Sequence, residues 1–514
     1  MLRIPAYCRR LSHTAAGRIV TNQIGSTHPS PASTFNVVHP GTGEVVHAVQ
    51  RSTASDITTA IDTAHAALPN WRATPLSERK AVFSRASALL RGGWAQRLAD
   101  ANESETSCGT WWATEQAAAA PHFIDALVAA ADAALAEEHV EVHGSTYTIS
   151  REPYGVCLAI AAWNAVTLLT ARAIITPLLA GNTVVLKASE HVPASQALWG
   201  TLLHEAGLPD GALSIVNVAP QDAEELTPAL VADARVRHVN FTGSTRVGSI
   251  IGSLAGAHLK PTLMELGGKA PVLILPDADI EVAASHILFG AFMNAGQICM
   301  SSERVLVPTS RYAELVSALQ RAWDGARGPA RALFSAASAA RVRTLVADAK
   351  SKGALDILAD ASTSADVKGS KVDAGGAGVH IQPLILGPVA DHMRLHAEES
   401  FGPVCALIPV AGEGEGLIDA MVALANDTPY GLSASVWGAD VGRAEAVARR
   451  IEAGAVHVNA PTPADAPGVP HGGWKSSGWG RFNGVEGIRG FTQTRSVEVP
   501  AAQAGPMPLH VFGL

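Results

Sequence analysis

An α/β fold of two or three packed units is what the sequence predicts, on three observations. Strand-like and helix-like segments alternate along most of the chain. Short, nearly uninterrupted apolar runs such as "GVCLAIAAW" and "NTVVLKAS" read as buried parallel strands, and glycine-terminated helical segments follow them. The 514 residues are 47% hydrophobic and only 16% charged, more apolar material than one core holds.

Taken in order, "SDITTAIDTAHAAL" and "LSERKAVFSRASALLRGG" read as amphipathic helices, the first with a Ser/Asp cap, the second ending in glycine. "ATEQAAAAPHFIDALVAAADAALAEE" is helical, with a break or kink expected at Pro121. "VEVHGSTYTISREPYG" is polar and β-branched around a glycine turn, hence a hairpin. It either projects to pair with another subunit or is a plain surface ribbon. The strand "GVCLAIAAW" then opens a parallel sheet. "ARAIITPLLAG" is a helix and "NTVVLKAS" a strand. "PASQALWGTLLHEAG" is a helix with Pro193 in its first turn and Gly207 past its end. "LSIVNVA" and "VRHVNFTGS" are strands, and "TRVGSIIGSLAG" is a helix. A second set begins near 265: strand "APVLIL", capped helix "DADIEVAASHILFGAFMNAG", strand "RVLVP". "AARVRTLVADAKSKGA" is a helix, and "DASTSADVKGSKVDAGGAG" is an exposed loop.

Composition excludes several classes. The net charge is −8 and basic residues cluster only at the N-terminus, so nucleic acid is not an expected partner. The five cysteines include no CxxC pair, which argues against a disulfide framework or a bound metal. No run of about 18 uninterrupted apolar residues occurs, and no membrane partner is expected. "MLRIPAYCRRLSHTAAGRIV" carries four arginines, and no acid precedes Glu44. It reads as an ordinary basic tail of a cytoplasmic protein, with a mitochondrial matrix address as the alternative.

A doubly wound sheet invites a dinucleotide, although no strict GxGxxG occurs. In "VNFTGSTRVG", Gly243 permits a turn after a strand, and Ser244 stands where a helix begins. That is an anion site fit for a pyrophosphate. In "VVLKASE", Lys187 and Glu190 at a strand's carboxyl end suit the ribose hydroxyls of an adenosine. Glu190 also repels a 2′-phosphate, which favours NAD over NADP. A solvated Lys–Glu pair gives the same pattern. "MELGGKAP" sets Glu265 on a glycine turn, placed as a general base. "NAGQICMSSER" sets Cys299 on a turn where backbone amides can stabilise a thiolate. A cysteine in an apolar chain is otherwise a small buried hydrophobe. Asn164 in "AAWNAV" is either a structural amide or an oxyanion donor.

"WNA", "GNTVVLKASE", "FTGSTRVG", "MELGGKAP", "GQICMSSER", "EESFGPV", "NDTPYGLSASVW" and "HGGWKSSGWGR" occur in this order. Together they resemble the aldehyde dehydrogenase superfamily from about residue 36 to 500. "GAFMNAGQICMSSERVLV" and "SGWGRFNGVEGIRGFTQTRSVEV" are most similar to the salicylaldehyde, benzaldehyde and vanillin dehydrogenases.

The resemblance implies a three-part fold: a Rossmann-type cofactor domain, an α/β catalytic domain and a β oligomerisation arm. The corresponding segments are a basic tail over 1–35, a cofactor domain over 36–139 and 159–265, a catalytic domain over 266–481, and an arm from 140–158 with 482–514. It further implies Cys299 as nucleophile, Glu265 as base and Asn164 as oxyanion amide. Lys187, Glu190, Gly243, Ser244, Trp163, Glu399 and Phe401 become contacts to NAD, and Lys269 a structural support. An aromatic aldehyde substrate and a homodimer or homotetramer are expected. The alternatives are a broad-range aliphatic or semialdehyde dehydrogenase and a non-enzymatic dinucleotide-binding protein.

Ala162, Val166 and His471 depart from the family pattern, with His471 replacing an aromatic ring. They are expected to reshape the substrate tunnel without touching the catalytic groups. Arg172, on a helix bordering that tunnel, is expected to pair with a structural acid or to meet a polar group of the substrate. The glycines beside Glu265 are read as leaving it room to move between a cofactor-occupied and a water-activating position.

Overall fold

The computed structural model describes residues 19–326, 330–358 and 378–501. Two seven-stranded sheets organise the chain. The first runs in the spatial order Gln23–Ile24, Leu213–Asn217, Thr183–Ala188, Val156–Ile160, Val236–Thr242, Thr262–Glu265, Gly478–Trp479. Its five central strands are parallel, and both edge strands pair antiparallel. The central strands are apolar on both faces because helices cover both. Ala54–Ala73 lies on one face, and its buried Ile57, Ala60, Ile61 and Ala64 pack on Val156, Leu158 and Val185. Val166–Leu179 and Pro193–Glu205 lie on the other, against Ala159, Val184 and Leu186.

Local signals set the element boundaries. Thr53 and Asp56 form a reciprocal cap at the first helix. Pro193 opens its helix at the first turn, and Gly207 leaves it at φ +91°. Asp279 caps Ile280–Phe292 by accepting from the Val282 N–H.

The second sheet has the order Leu355–Asp356, Leu384–Gly387, Val404–Val410, Ser302–Pro308, Ala270–Ile274, Ser433–Trp437, Ala455–Val458. It is parallel except at Leu355–Asp356. A third sheet joins the hairpin strands Glu138–Val142 and Ser145–Pro153 to Thr492–Pro500, and is half-buried to exposed along most of its length.

Helix Thr110–Leu135 continues through Pro121 without a break. It is the one described helix long and apolar enough to cross a membrane. Here its Phe123, Ile124 and Leu127 are buried in the protein core.

Three expected boundaries move. Residues 19–35 are not a tail. Ile19–Val20 pairs with Val45–Gln50, and the fully buried Asn22 accepts from Ser52 Oγ at 3.0 Å and the Asn217 N–H at 2.9 Å. Such an amide ties the segment to the sheet because leaving it unpaired would be costly. Val156–Leu158 belongs to the first sheet, not the arm. Phe482, Ile488 and Phe491 are core residues, so the arm's last strand begins only at Thr492. The basic segment before Ile19 and most of the loop expected at 360–378 lie outside the described residues.

Candidate functional site

The carboxyl ends of the first sheet's strands face the amino ends of the second sheet's strands. Asn164 follows Val156–Ile160, Lys187 lies near the end of Thr183–Ala188, and Gly243 and Glu265 terminate neighbouring strands. Thr242 pairs in register with Glu265, and the Gly243 N–H donates to the Glu265 carbonyl at 3.0 Å. From the other side come Cys299 before Ser302–Pro308, Lys269 before Ala270–Ile274, and Glu399 to Phe401 before Val404–Val410.

Cys299 Sγ lies 3.4 Å from Glu265 Oε1. The loop holding the thiol is tightly wound: Asn294, Ala295 and Gly296 have φ of +48°, +56° and +70°. A Cβ on Gly296 would stand 2.1 Å from the Gly402 carbonyl oxygen, so only glycine fits there. Asn164 is 6% exposed, and its Nδ2 donates to the Gln297 carbonyl at 2.9 Å. Its backbone carbonyl accepts from Trp112 Nε1 at 2.9 Å and Asn294 Nδ2 at 3.1 Å. Those bonds fix the amide on the cysteine loop.

The thiol differs from expectation. Burial, and then the adjacent Glu265 carboxylate, push the Cys299 thiol well above its ordinary pKa. These surroundings favour the protonated thiol, 3.4 Å from the Glu265 carboxylate, over a preformed thiolate. Burial also opposes ionisation of Glu265, yet its hydrogen bond to His471 and the charges of His471 and Arg172 hold its carboxyl below the usual range.

His471 is thus not confined to tunnel shape. Its Nε2 stands 3.4 Å from Glu265 Oε1, in contact with the very carboxylate it was expected to leave alone. Arg172 Nη1 donates to Glu265 Oε2 at 3.2 Å, and Nη2 pairs with Asp465. The expected acid partner of Arg172 is therefore double, and one of the two is Glu265. Asp465 carried no sequence signal, because nothing local to it suggests a site.

The glycine turn after Glu265 answers to other neighbours. A Cβ on Gly267 would come within 2.7 Å of Glu399 Oε2, and one on Gly268 within 2.2 Å of the Cys299 carbonyl oxygen. These glycines admit the Glu399 carboxylate and the Cys299 backbone. Lys269 Nζ pairs with Glu303 Oε2 at 2.6 Å, both buried. Glu303 Oε1 accepts from Ser400 N–H and Oγ at 2.8 Å each and from Phe401 N–H at 3.2 Å. Lys269 thus anchors the loop that presents Glu399 and Phe401.

Of the residues expected to contact a dinucleotide, Trp163, Lys187, Glu190, Gly243 and Ser244 lie at the carboxyl edge of the first sheet, and Glu399 and Phe401 come from the second. Lys187 Nζ is 3.9 Å from Glu190 Oε2, and His191 Nε2 is 3.2 Å from Glu190 Oε1. Burial works against the Glu190 charge, but His191 and Lys187 outweigh it and the carboxyl falls to about 2. Ser244 caps the 13-residue helix Thr245–Ala257, whose first turn leaves N–H groups for an anion. Glu399 Oε1 accepts from the Gly268 N–H at 2.8 Å. Burial, opposed by that bond, raises its carboxyl to about 7. An ionised acid beside a buried cation, a helix N-terminus and a second carboxylate form a donor set that fits a dinucleotide. Trp163 stacks on Phe334 at 4.0 Å and meets Phe401 edge-on at 6.0 Å. Phe334 also meets His191 at 4.0 Å. Sequence reasoning missed Phe334, which sits in an Ala- and Ser-rich stretch without a motif.

Beside the cysteine loop opens a cavity of about 460 Å³ lined by Trp111, Trp112, Phe289, Phe292, Met293, Asn294 and Trp323. Trp111 and Phe289 meet edge-on at 6.1 Å, as do Phe292 and Trp323 at 5.6 Å.

A thiol, a carboxylate and an amide meet where the two sheets face each other. The chain belongs to the aldehyde dehydrogenase family, whose sequence model matches residues 27–497. It is 40% identical over 485 residues to a vanillin dehydrogenase of a Pseudomonas species, covering 93% of this chain and 96% of that protein. A salicylaldehyde dehydrogenase of Pseudomonas putida is 35% identical, covering 91% and 94%. The crystal structure of a salicylaldehyde dehydrogenase from Pseudomonas putida, complexed with salicylaldehyde, superposes with a TM-score of 0.86 at 32% identity, over 95% of this chain and 99% of that one. A Mycobacterium tuberculosis aldehyde dehydrogenase complexed with NAD+ gives 0.85 at 32% identity, over 95% and 99%. The protein is an enzyme of this class, built on its fold.

Proposed function

We propose that this aldehyde dehydrogenase oxidises aromatic aldehydes of the salicylaldehyde, benzaldehyde or vanillin type to their carboxylic acids, with NAD as acceptor. The 3.4 Å approach of Cys299 Sγ to Glu265 carries the chemical reading. Glu265 takes the thiol proton as Sγ bonds to the aldehyde carbon. Asn164 Nδ2, which has a second hydrogen beyond the one given to Gln297, and the Cys299 N–H donate to the developing oxyanion. NAD, when bound, supplies the hydride acceptor that turns the thiohemiacetal into a thioester. Glu265 releases the thiol proton to solvent, then takes one from the water that attacks the thioester and returns it to the departing Cys299 sulfur as the acid leaves.

Lys187 and Glu190 would hold the adenosine ribose, Gly243 and Ser244 the pyrophosphate, and Glu399 the second ribose, with Trp163 and Phe401 beside the nicotinamide. Glu190 stays ionised at neutral pH and would repel a 2′-phosphate, which supports NAD over NADP. The aromatic substrate is supported by the indole- and phenyl-lined cavity and by the relatives' substrates. Arg172 is an unsuitable anchor for an acidic aldehyde, because both its terminal nitrogens already serve Glu265 and Asp465. The exposed three-stranded sheet suits pairing with a second subunit, so a homodimer or homotetramer belongs to the same reading.

The test is NADH or NADPH formation by purified protein with salicylaldehyde, benzaldehyde, vanillin, hexanal and succinic semialdehyde. The expected outcome is the highest kcat/KM with an aromatic aldehyde and NAD. Preference for hexanal or the semialdehyde would overturn the substrate assignment, and preference for NADP the role of Glu190.

A further inference from the structure

Glu265 is held from three sides. Its Oε1 meets both Cys299 Sγ and His471 Nε2 at 3.4 Å, while Oε2 takes Arg172 Nη1 at 3.2 Å. The His471 ring is itself fixed. Its backbone exchanges two hydrogen bonds with Phe482, at 2.8 and 2.7 Å, and its Nδ1 stands 3.9 Å from Asp465 Oδ1. Asp465 is braced by Asn483 Nδ2 at 2.8 Å and by Arg172. His457, on Ala455–Val458, is the remaining titratable group beside this ring.

Charge counting decides the state of the ring. Glu265 and Asp465 carry two negative charges, and Arg172 carries one positive charge. With a neutral imidazole the cluster keeps one uncompensated anion, which is expensive at the fully buried Glu265 and less so at Asp465, whose side chain is 21% exposed. An imidazolium brings the sum to zero. Burial opposes that charge, but Asp465 and Glu265 together raise the His471 pKa above its ordinary value.

We propose that His471 is a positioning residue for the general base, its imidazolium bridging Glu265 and Asp465 and holding the Glu265 carboxylate ionised and turned inward onto the Cys299 thiol. The inference rests on the reading of Glu265 as base. It assigns a task to a position where the resemblance predicts only an aromatic ring. Without the imidazolium, Glu265 either takes up a proton, because burial then dominates, or leaves the thiol.

Both consequences weaken the removal of the Cys299 proton by Glu265 on the acid side. The test is therefore the pH dependence of Cys299 alkylation by iodoacetamide, in the full chain without aldehyde or cofactor. It compares the starting protein with His471→Gln and with His471→Phe, which refills the ring's space. The expected result is a rise by about one pH unit in the midpoint of the acid limb of Cys299 alkylation in both variants, because the base that takes the thiol proton then ionises at higher pH. In steady-state turnover the acid limb of kcat should move up by about as much, since the base loses a cation that kept it ionised. A structural role alone would lower kcat at every pH and leave both midpoints in place. Unmoved or oppositely shifted alkylation midpoints overturn the proposal, whatever the dehydrogenase activity. If the midpoints shift as expected but Glu265→Gln turns over normally, the positioning stands and the assignment of Glu265 as base falls.

Discussion

Replacing Lys269 by methionine isolates a buried charge whose consequences the structure sets out. The change removes the cation 2.6 Å from Glu303 Oε2 and leaves the carboxylate inside the protein with donors on Oε1 alone. Breaking one side of a buried pair costs roughly 3–5 kcal/mol. The double variant Lys269→Met/Glu303→Gln removes the stranded charge while its amide oxygen still accepts from Ser400 and Phe401. It should recover about 2–3 kcal/mol of that loss as coupling energy. Urea unfolding followed by tryptophan fluorescence measures both. Because Glu303 holds the Ser400–Phe401 backbone, the single variant should also raise the KM for NAD more than the KM for aldehyde. A single variant that loses less than about 1 kcal/mol, or a double variant as unstable as the summed singles, would refute the account of Lys269 as the anchor of this loop.

Two further changes probe the site directly. Asn164→Ala should lower kcat by roughly 100- to 1,000-fold, the usual effect of losing an oxyanion donor; steady-state rates checked for a loss under tenfold would assign the amide a structural role only. Glu399 has a carboxyl raised to about 7 by burial, so falling pH protonates it near neutrality rather than at the ordinary carboxylate value. Its capacity to accept from a ribose hydroxyl should decline on the acid side, and the KM for NAD should rise below about pH 7. Glu399→Gln should flatten that dependence, and an unchanged profile would exclude Glu399 as the titrating group.

Much of this arrangement was legible because it is local. Apolar strands, glycine-ended helices and the Asp279 cap are encoded within a few residues, and the observed elements follow them. Glu265 and Cys299 were readable because each sits in a compact motif, and a strand, a helix and turns, 34 residues in sequence, bring them to 3.4 Å. What was not legible depends on distant pairing. Asn22 became part of the fold only through Ser52 and Asn217. The glycines after Glu265 looked like freedom for that side chain, yet their Cβ positions are filled by Glu399 and by the Cys299 carbonyl. Phe334 has no motif, and only the closed fold lays it on Trp163.

His471 shows why a departure from a family pattern is hard to weigh from sequence. Its partner Glu265 lies 206 residues earlier, and the arginine that links Glu265 to Asp465 sits 293 residues before that acid. None of the three buried groups, Arg172, Glu265 and His471, is stable there as an isolated charge. Arg172 alone would be driven toward water, and Glu265 alone toward its neutral form. Each is tolerable because the other three are present, so the four must be read together. An imidazole in place of an aromatic ring looks like a change of shape when only the motif is seen. Beside Glu265, Asp465 and Arg172 it is the charge that closes the balance. The same contact lies one atom from the thiol, since Glu265 Oε1 is shared by His471 and Cys299. A change in the protonation of His471 therefore cannot reach Asp465 on one side without also reaching the nucleophile on the other.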